Sequence, residues 1–125
     1  MKYAVCAVII KDGLILATHR RDNKNDWGLP GGKVDTNEFL RDAIIRETLE
    51  ETGMTTNFIF YCMKLDGEYN VACFIGDGDQ LKVVTTVHEG LGKMVPIKNV
   101  TEGCFGKFNK ELFDDMVAKG YNIPL

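Results

Sequence analysis

Apolar and polar positions divide this chain into short, well-punctuated segments. Residues 3–10 (Tyr-Ala-Val-Cys-Ala-Val-Ile-Ile) and 14–18 (Leu-Ile-Leu-Ala-Thr) read as strands, and Lys11-Asp12-Gly13 between them is a turn signal of the Asp-Gly kind, so the chain opens with a hairpin. A polar stretch from His19 to Asp26 follows and ends in Trp27-Gly28-Leu29-Pro30-Gly31-Gly32, where proline and paired glycines exclude helix and allow close backbone approach. Asp35 with Glu38 three residues on reads as a capping box, and good helix formers continue to Gly53, which predicts a helix over about 37–52. Strand-like runs come next at Phe58–Lys64, Tyr69–Ile75 and Leu81–Val87, the later two joined by a hairpin turn at Gly76-Asp77-Gly78-Asp79, with a further strand near Lys93–Ile97. Phe108, Leu112, Phe113, Met116 and Val117 have the spacing of an amphipathic helix over 108–119. With no repeat or linker in view, the pattern predicts one α+β domain over residues 1–125, two helices packed on a mixed sheet.

Composition narrows the class without changing that plan. Across 125 residues, 45% apolar and 26% charged, the chain reads as a soluble globular protein with one core, which excludes disorder and low complexity. A net charge of -3 supplies no broad footprint for a polymeric nucleic acid or an anionic membrane, so any phosphate must be bound locally. The apolar run Ala4–Ile10 is too short to span a bilayer, no cleavage pattern follows it, and a cytoplasmic protein is expected. Cys6, Cys62, Cys73 and Cys104 form no Cys-x-x-Cys spacing and read as reduced thiols in or near the core.

The chemistry concentrates on the first helix. Glu47, Glu50 and Glu51 stand at i, i+3 and i+4, within an arc of about 100°. Like charges so placed repel, and an all-oxygen set suits Mg²⁺ or Mn²⁺; the alternative is a solvated acidic face. Arg46 can hold a glutamate's rotamer beside such a site or form an ordinary surface pair with Glu50. The turn aspartates Asp77 and Asp79 read as turn residues and not as a metal pair, and no twelve-residue calcium loop is present.

From Gly32 the chain runs Gly32-x5-Glu38-x7-Arg46-Glu47-Thr48-x-Glu50-Glu51-x-Gly53-Met54, which resembles the Nudix box. Every fixed polar and glycine position matches, and the one departure is Thr48, where the box has a bulky apolar residue. The upstream Trp27–Gly32 stretch extends the likeness. The resemblance implies an α/β/α sandwich around a central mixed sheet, and Mg²⁺-dependent hydrolysis of a phosphoanhydride in a nucleotide-type small molecule. The size and short loops resemble the MutT-type subgroup, which takes nucleoside triphosphates to monophosphate and pyrophosphate. An ADP-ribose or dinucleoside polyphosphate pyrophosphatase is the alternative among enzymes, and a nucleotide-sensing module without activity the alternative outside them. Neither a monomer nor a homodimer is favoured.

The resemblance also assigns roles. It implies Glu47, Glu50 and Glu51 as metal ligands with the Gly31 carbonyl, and the general base as either Glu50 or Glu89, the latter also a candidate ligand in the loop Val87–Gly92. Glu38 reads as a helix cap or as a neighbour of the metal site. Glu89 can equally be a solvated loop glutamate, and His88 beside it reads as a loop residue. Arg21, with Arg20, meets the substrate's phosphates in relatives of this type, against the plainer reading of a solvated strand end. Trp27 reads as packing the loop on the core rather than stacking on a base. Asn109 reads as the contact to a purine base or as the N-cap of the last helix.

Overall fold

A computed structural model describes residues 1–125. Strands β1 (Lys2–Lys11) and β2 (Leu14–His19) make the expected hairpin. Asp12 and Gly13 both take positive φ, 53° and 77°, which gives the tight turn the twist of its flanking strands. The strands pair only beside this turn, Ile10 with Ile15 and Lys11 with Leu14, and then splay apart. The proline- and glycine-rich segment fills the fork: β3 (Trp27–Gly28) pairs with β2, and β4 (Gly31–Lys33) pairs with β1. Between them the Ala7 N–H donates to the Pro30 carbonyl at 3.1 Å. Glycine is required where backbone meets backbone, since a Cβ on Gly31 would collide with the Val5 carbonyl.

The helix α1 (Leu40–Thr52) follows, then β5 (Met54–Thr55), the long β6 (Phe58–Asp66) and β7 (Tyr69–Gly76). β7 runs parallel to β1 from Lys2↔Tyr69 to Ile9↔Gly76, and β6 lies antiparallel on its outer edge with a bulge between Phe60 and Cys62. After β8 (Lys82–Val83) comes β9 (Gly92–Val95), antiparallel to β2; the mixed sheet has the order β3-β2-β1-β7-β6. The chain ends with the single turn α2 (Lys98–Thr101) and α3 (Gly106–Ala118). Alternation along β1 separates two cores: Val5, Ala7 and Ile9 pack with Ala43 and Ile44 of α1, while Cys6 and Val8 pack with Val100 of α2 and with Leu112, Phe113 and Met116 of α3. This is the expected α/β/α arrangement, with α2 as a third, unforeseen helix. All four cysteines are free, three of them buried or half-buried and Cys104 exposed. No helix is long and apolar enough to cross a membrane.

Three expectations are corrected. The first helix starts at Leu40 and not near residue 37, because Asn37 takes a left-handed φ of 64° that no right-handed helix admits. Its N-cap is Phe39, without a side-chain cap; Glu38 does reach back to the Asp35 N–H at 3.0 Å, but this closes a turn ahead of the helix. The strand over 81–87 shrinks to β8, which pairs with β5 in a separate ribbon, so Gly76–Asp79 turns no hairpin. Asp77 instead caps the 3₁₀ turn Gly78–Gln80 by accepting the Asp79 N–H, and Gly78 presses on the Ile10 carbonyl too closely for any Cβ.

Candidate active site

α1 carries the three glutamates on the face turned to β4. Ala43, Ile44, Thr48 and Thr52 form its buried stripe, and the two threonine hydroxyls donate to the carbonyls four residues back, Ile44 and Thr48, both at 2.7 Å. Thr48, the one departure from the Nudix box, is thus fully buried with its polar atom satisfied inside its own helix. Gly53 ends the helix in left-handed conformation, its N–H on the Leu49 carbonyl at 2.9 Å.

The carboxylates are not equivalent. Glu51 accepts the Gly31 N–H at 3.0 Å, yet burial, reinforced by Glu47, Glu89 and Glu50, pushes its carboxyl up to about 8. Burial also raises Glu47, against the pull of Arg46, and a Cβ on Gly32 would fall within its carboxylate. Glu50 is more open, its side chain 3.3 Å from Arg46 Nη1. Arg46 is the hub of this face and much more than a surface partner of Glu50. It forks onto Glu38 at 2.8 and 3.0 Å, reaches Glu47 Oε1 at 2.9 Å and donates to the Lys33 carbonyl at 3.1 Å. Glu38, held by this guanidinium and the Asp35 N–H, lies well below the usual carboxylate range at about 2. Glu38 therefore braces Arg46 and does not cap the helix.

Two loops border the helix end, 84–91 directly and 20–26 through the contact of Arg21 with Glu89. Residues 84–91 satisfy carbonyls that the end of α1 would leave orphaned: Glu89 N–H donates to Glu50 at 2.8 Å, Leu91 N–H to Glu51 at 3.0 Å, and Val84 and Thr85 N–H both to Gly53. His88 lies against Gly53 and accepts the Gly90 N–H at 2.9 Å through Nδ1, so it is a structural clip of the loop. The other loop, 20–26, is tied by Asp26, which accepts the Cys104 N–H at 2.9 Å.

The predicted substrate residues are spread over two adjoining cavities. A cleft of about 520 Å³ is lined by Thr18, Arg20, Arg21, Gly31, Glu51 and Leu91. Arg20 forks onto Asp22 at 2.9 and 3.2 Å, and Arg21 reaches Glu89 at 2.5 Å. An apolar cavity of about 370 Å³ adjoins it, sharing Leu29, Gly31 and Phe105, and is walled by Cys6, Tyr69, Phe108 and Asn109. Asn109 is not an N-cap. It lies within α3, 2% exposed, on the stripe of Leu112, Phe113 and Met116, and its Nδ2 donates to the Val100 carbonyl at 2.9 Å. Trp27 packs on the core and meets His19 edge to face at 5.4 Å, as expected. Phe105 and the Glu38 brace were not anticipated; only the box spacing pointed to Glu38, and nothing in the sequence marked Phe105.

As the side chains stand, no three acidic, histidine or cysteine groups converge as ligands on one point. The donor chemistry nonetheless fits a hard cation: oxygen-only groups, two of them raised by burial and mutual repulsion, are what such an ion would discharge.

An acidic helix seated on a glycine strand, beside a cleft floored by a mixed sheet, defines a class of small α/β/α domains built around the Nudix box. The NUDIX domain description matches residues 1–100, and the chain belongs to that family. An RNA pyrophosphohydrolase of Erythrobacter litoralis is 36% identical over 62 residues, 46% of this chain and 38% of that one. An ADP-ribose pyrophosphatase of Methanocaldococcus jannaschii is 43% identical over 53 residues, 41% of this chain and 31% of that one. The chain thus spans well under half the length of these two relatives. Among solved structures, one from a study of MutT from Aliivibrio salmonicida and Vibrio cholerae superposes with a TM-score of 0.68 at 25% identity, covering 94% of this chain and 98% of that one. Enzymes of the family generally use divalent metal ions.

Proposed function

We propose that this chain, a single Nudix domain over residues 1–125, is a MutT-like pyrophosphohydrolase that adds water to a nucleoside triphosphate and releases monophosphate and pyrophosphate. The observation that carries the reading is the adjacency of the two cavities, a polar cleft beside the glutamates and an apolar one ending at the Asn109 amide. Their shared wall suits one ligand with a charged tail and a flat apolar head.

In this reading Glu47, Glu50, Glu51 and Glu89 with the Gly31 carbonyl would hold Mg²⁺, with Mn²⁺ as a substitute. The bound ion would offset phosphate charge and lower the pKa of a water. Arg46 orients Glu47 and Glu50, Arg21 and Arg20 receive phosphate oxygens, and Glu50 or Glu89 takes the proton of the attacking water. Asn109 Nδ2 gives one of its two N–H donors to Val100, and its Oδ1 would meet a donor on a purine edge.

The test is release of pyrophosphate from a panel of purine and pyrimidine triphosphates, ADP-ribose and a dinucleoside polyphosphate, with Mg²⁺ or with excess chelator. Triphosphates, purines first, should be cleaved only with metal, and Glu50→Gln or Glu51→Gln should lower kcat by orders of magnitude in a folded protein. Full turnover in chelator, or no cleavage of any nucleotide with Mg²⁺, sinks the proposal. Preference for ADP-ribose or the dinucleoside substrate would replace the substrate and keep the chemistry.

A further inference from the structure

β2 and β9 pair as Ile15↔Val95, Leu16↔Met94, Ala17↔Lys93 and Thr18↔Gly92. The next contact, His19 N–H to the Leu91 carbonyl at 3.1 Å, keeps this register. Carried two residues further, the register sets Arg21 directly opposite Glu89, and there the guanidinium meets the carboxylate, Nη2 to Oε1 at 2.5 Å. From this geometry we infer that Arg21 is a positioning residue for Glu89, holding its carboxylate over the end of α1. The inference rests on the proposed catalytic part of Glu89.

The backbone at Glu89 is already fixed, by its own N–H on Glu50, by Leu91 on Glu51 and by the His88 clip. The side chain is not. It makes no hydrogen bond, Arg21 is its one ion pair, and the neighbouring Glu47 and Glu51 repel it. Without the guanidinium the flexible carboxylate would turn outward to water, where a charged group is better solvated. Arg21 has donors to spare, so one edge of its fork can keep Glu89 while another meets a phosphate. A phosphate contact alone has a different signature: it acts whether or not residue 89 is a glutamate.

A double-mutant cycle separates the two. Arg21→Ala, Arg21→Lys, Glu89→Gln and the Arg21→Ala/Glu89→Gln pair are assayed for kcat and KM with the best-cleaved nucleotide, and each is unfolded in urea without metal or nucleotide. Glu89→Gln should lower kcat by about 100-fold and Arg21→Ala by about 10-fold, with no further kcat loss when the two are combined. Arg21→Lys, which keeps the charge at the same register, should recover most of the loss. In urea Arg21→Ala should cost stability in the wild-type background and little or none in the Glu89→Gln background, where the pair is already broken. Equal kcat losses from Arg21→Ala in both backgrounds, an effect on KM alone, or additive unfolding would overturn the inference. If Glu89→Gln turns over like wild type, Glu89 has no catalytic part and the inference falls with it, while cleavage of the panel still stands or falls on its own.

Discussion

Glu51 couples the site to pH. Its carboxyl sits at about 8 in the folded chain against an ordinary value of 4.5, so between these values the native state binds more protons than the unfolded one. The metal-free protein should therefore have this contribution in full below about pH 4.5 and lose it as pH rises through 8, and Glu51→Gln should flatten that slope. Mg²⁺, competing with the proton, should raise the melting temperature more at pH 8.5 than at pH 6. Thermal melts across this range with and without the ion check both statements; a slope unchanged in Glu51→Gln would show that another group titrates. At the same scale, the shared face of Glu47, Glu50 and Glu51 was legible because spacing on a helix is periodic, while the spacing alone left open a solvated acidic face. The apolar spacing sets the last helix at 108–119 and so leaves Asn109 at its mouth; the helix in fact starts at Gly106, and a Val100 carbonyl nine residues upstream, invisible to any local rule, takes one of its amide protons.

Among the elements, the connection from α1 through Gly53 to loop 84–91 decides where Glu89 stands. A Cβ at Gly53 would force a left-handed residue, φ 72°, and collide with the Thr85 carbonyl and the His88 ring. Gly53→Ala should cost about 1–2 kcal/mol in backbone strain alone, and by displacing the loop it should lower kcat although residue 53 lies outside the cleft. Urea unfolding and steady-state kinetics on the variant test this, and a destabilised variant with wild-type kcat would show that the loop stands without its seat. The helix end at Gly53 was readable from the sequence, as were β1, β2, β6, β7 and the last helix. The helix start was not, because Asp35 and Glu38 do share a capping contact, and the left-handed Asn37 and extended Phe39 keep the helix from starting there. The strand expected over 81–87 failed for a related reason: its backbone donors at Val84 and Thr85 are used on the Gly53 carbonyl that closes α1 instead of extending a sheet.

For the whole molecule, the sandwich could be foreseen but the sheet order could not. Parallel pairing of β1 with β7 joins segments more than sixty residues apart, and local patterning carries no register for such a pair. Once the order is known, one local rule regains force, for the β2–β9 register points to Arg21 and Glu89 as partners from their numbers alone.

The fork between β1 and β2 has a consequence for motion. Because the Pro30 carbonyl holds the Ala7 amide of a central strand, the glycine segment under the glutamates has no freedom to breathe on its own; opening it means unzipping the middle of the sheet. Amide hydrogen exchange should therefore find Ala7 protected to the level of global unfolding, while Val84, Thr85 and Glu89, on an exposed loop, exchange through local opening many times faster. The two sides of the cleft would then run on separate clocks, a slow floor and a fast rim, and ligand entry would follow the rim.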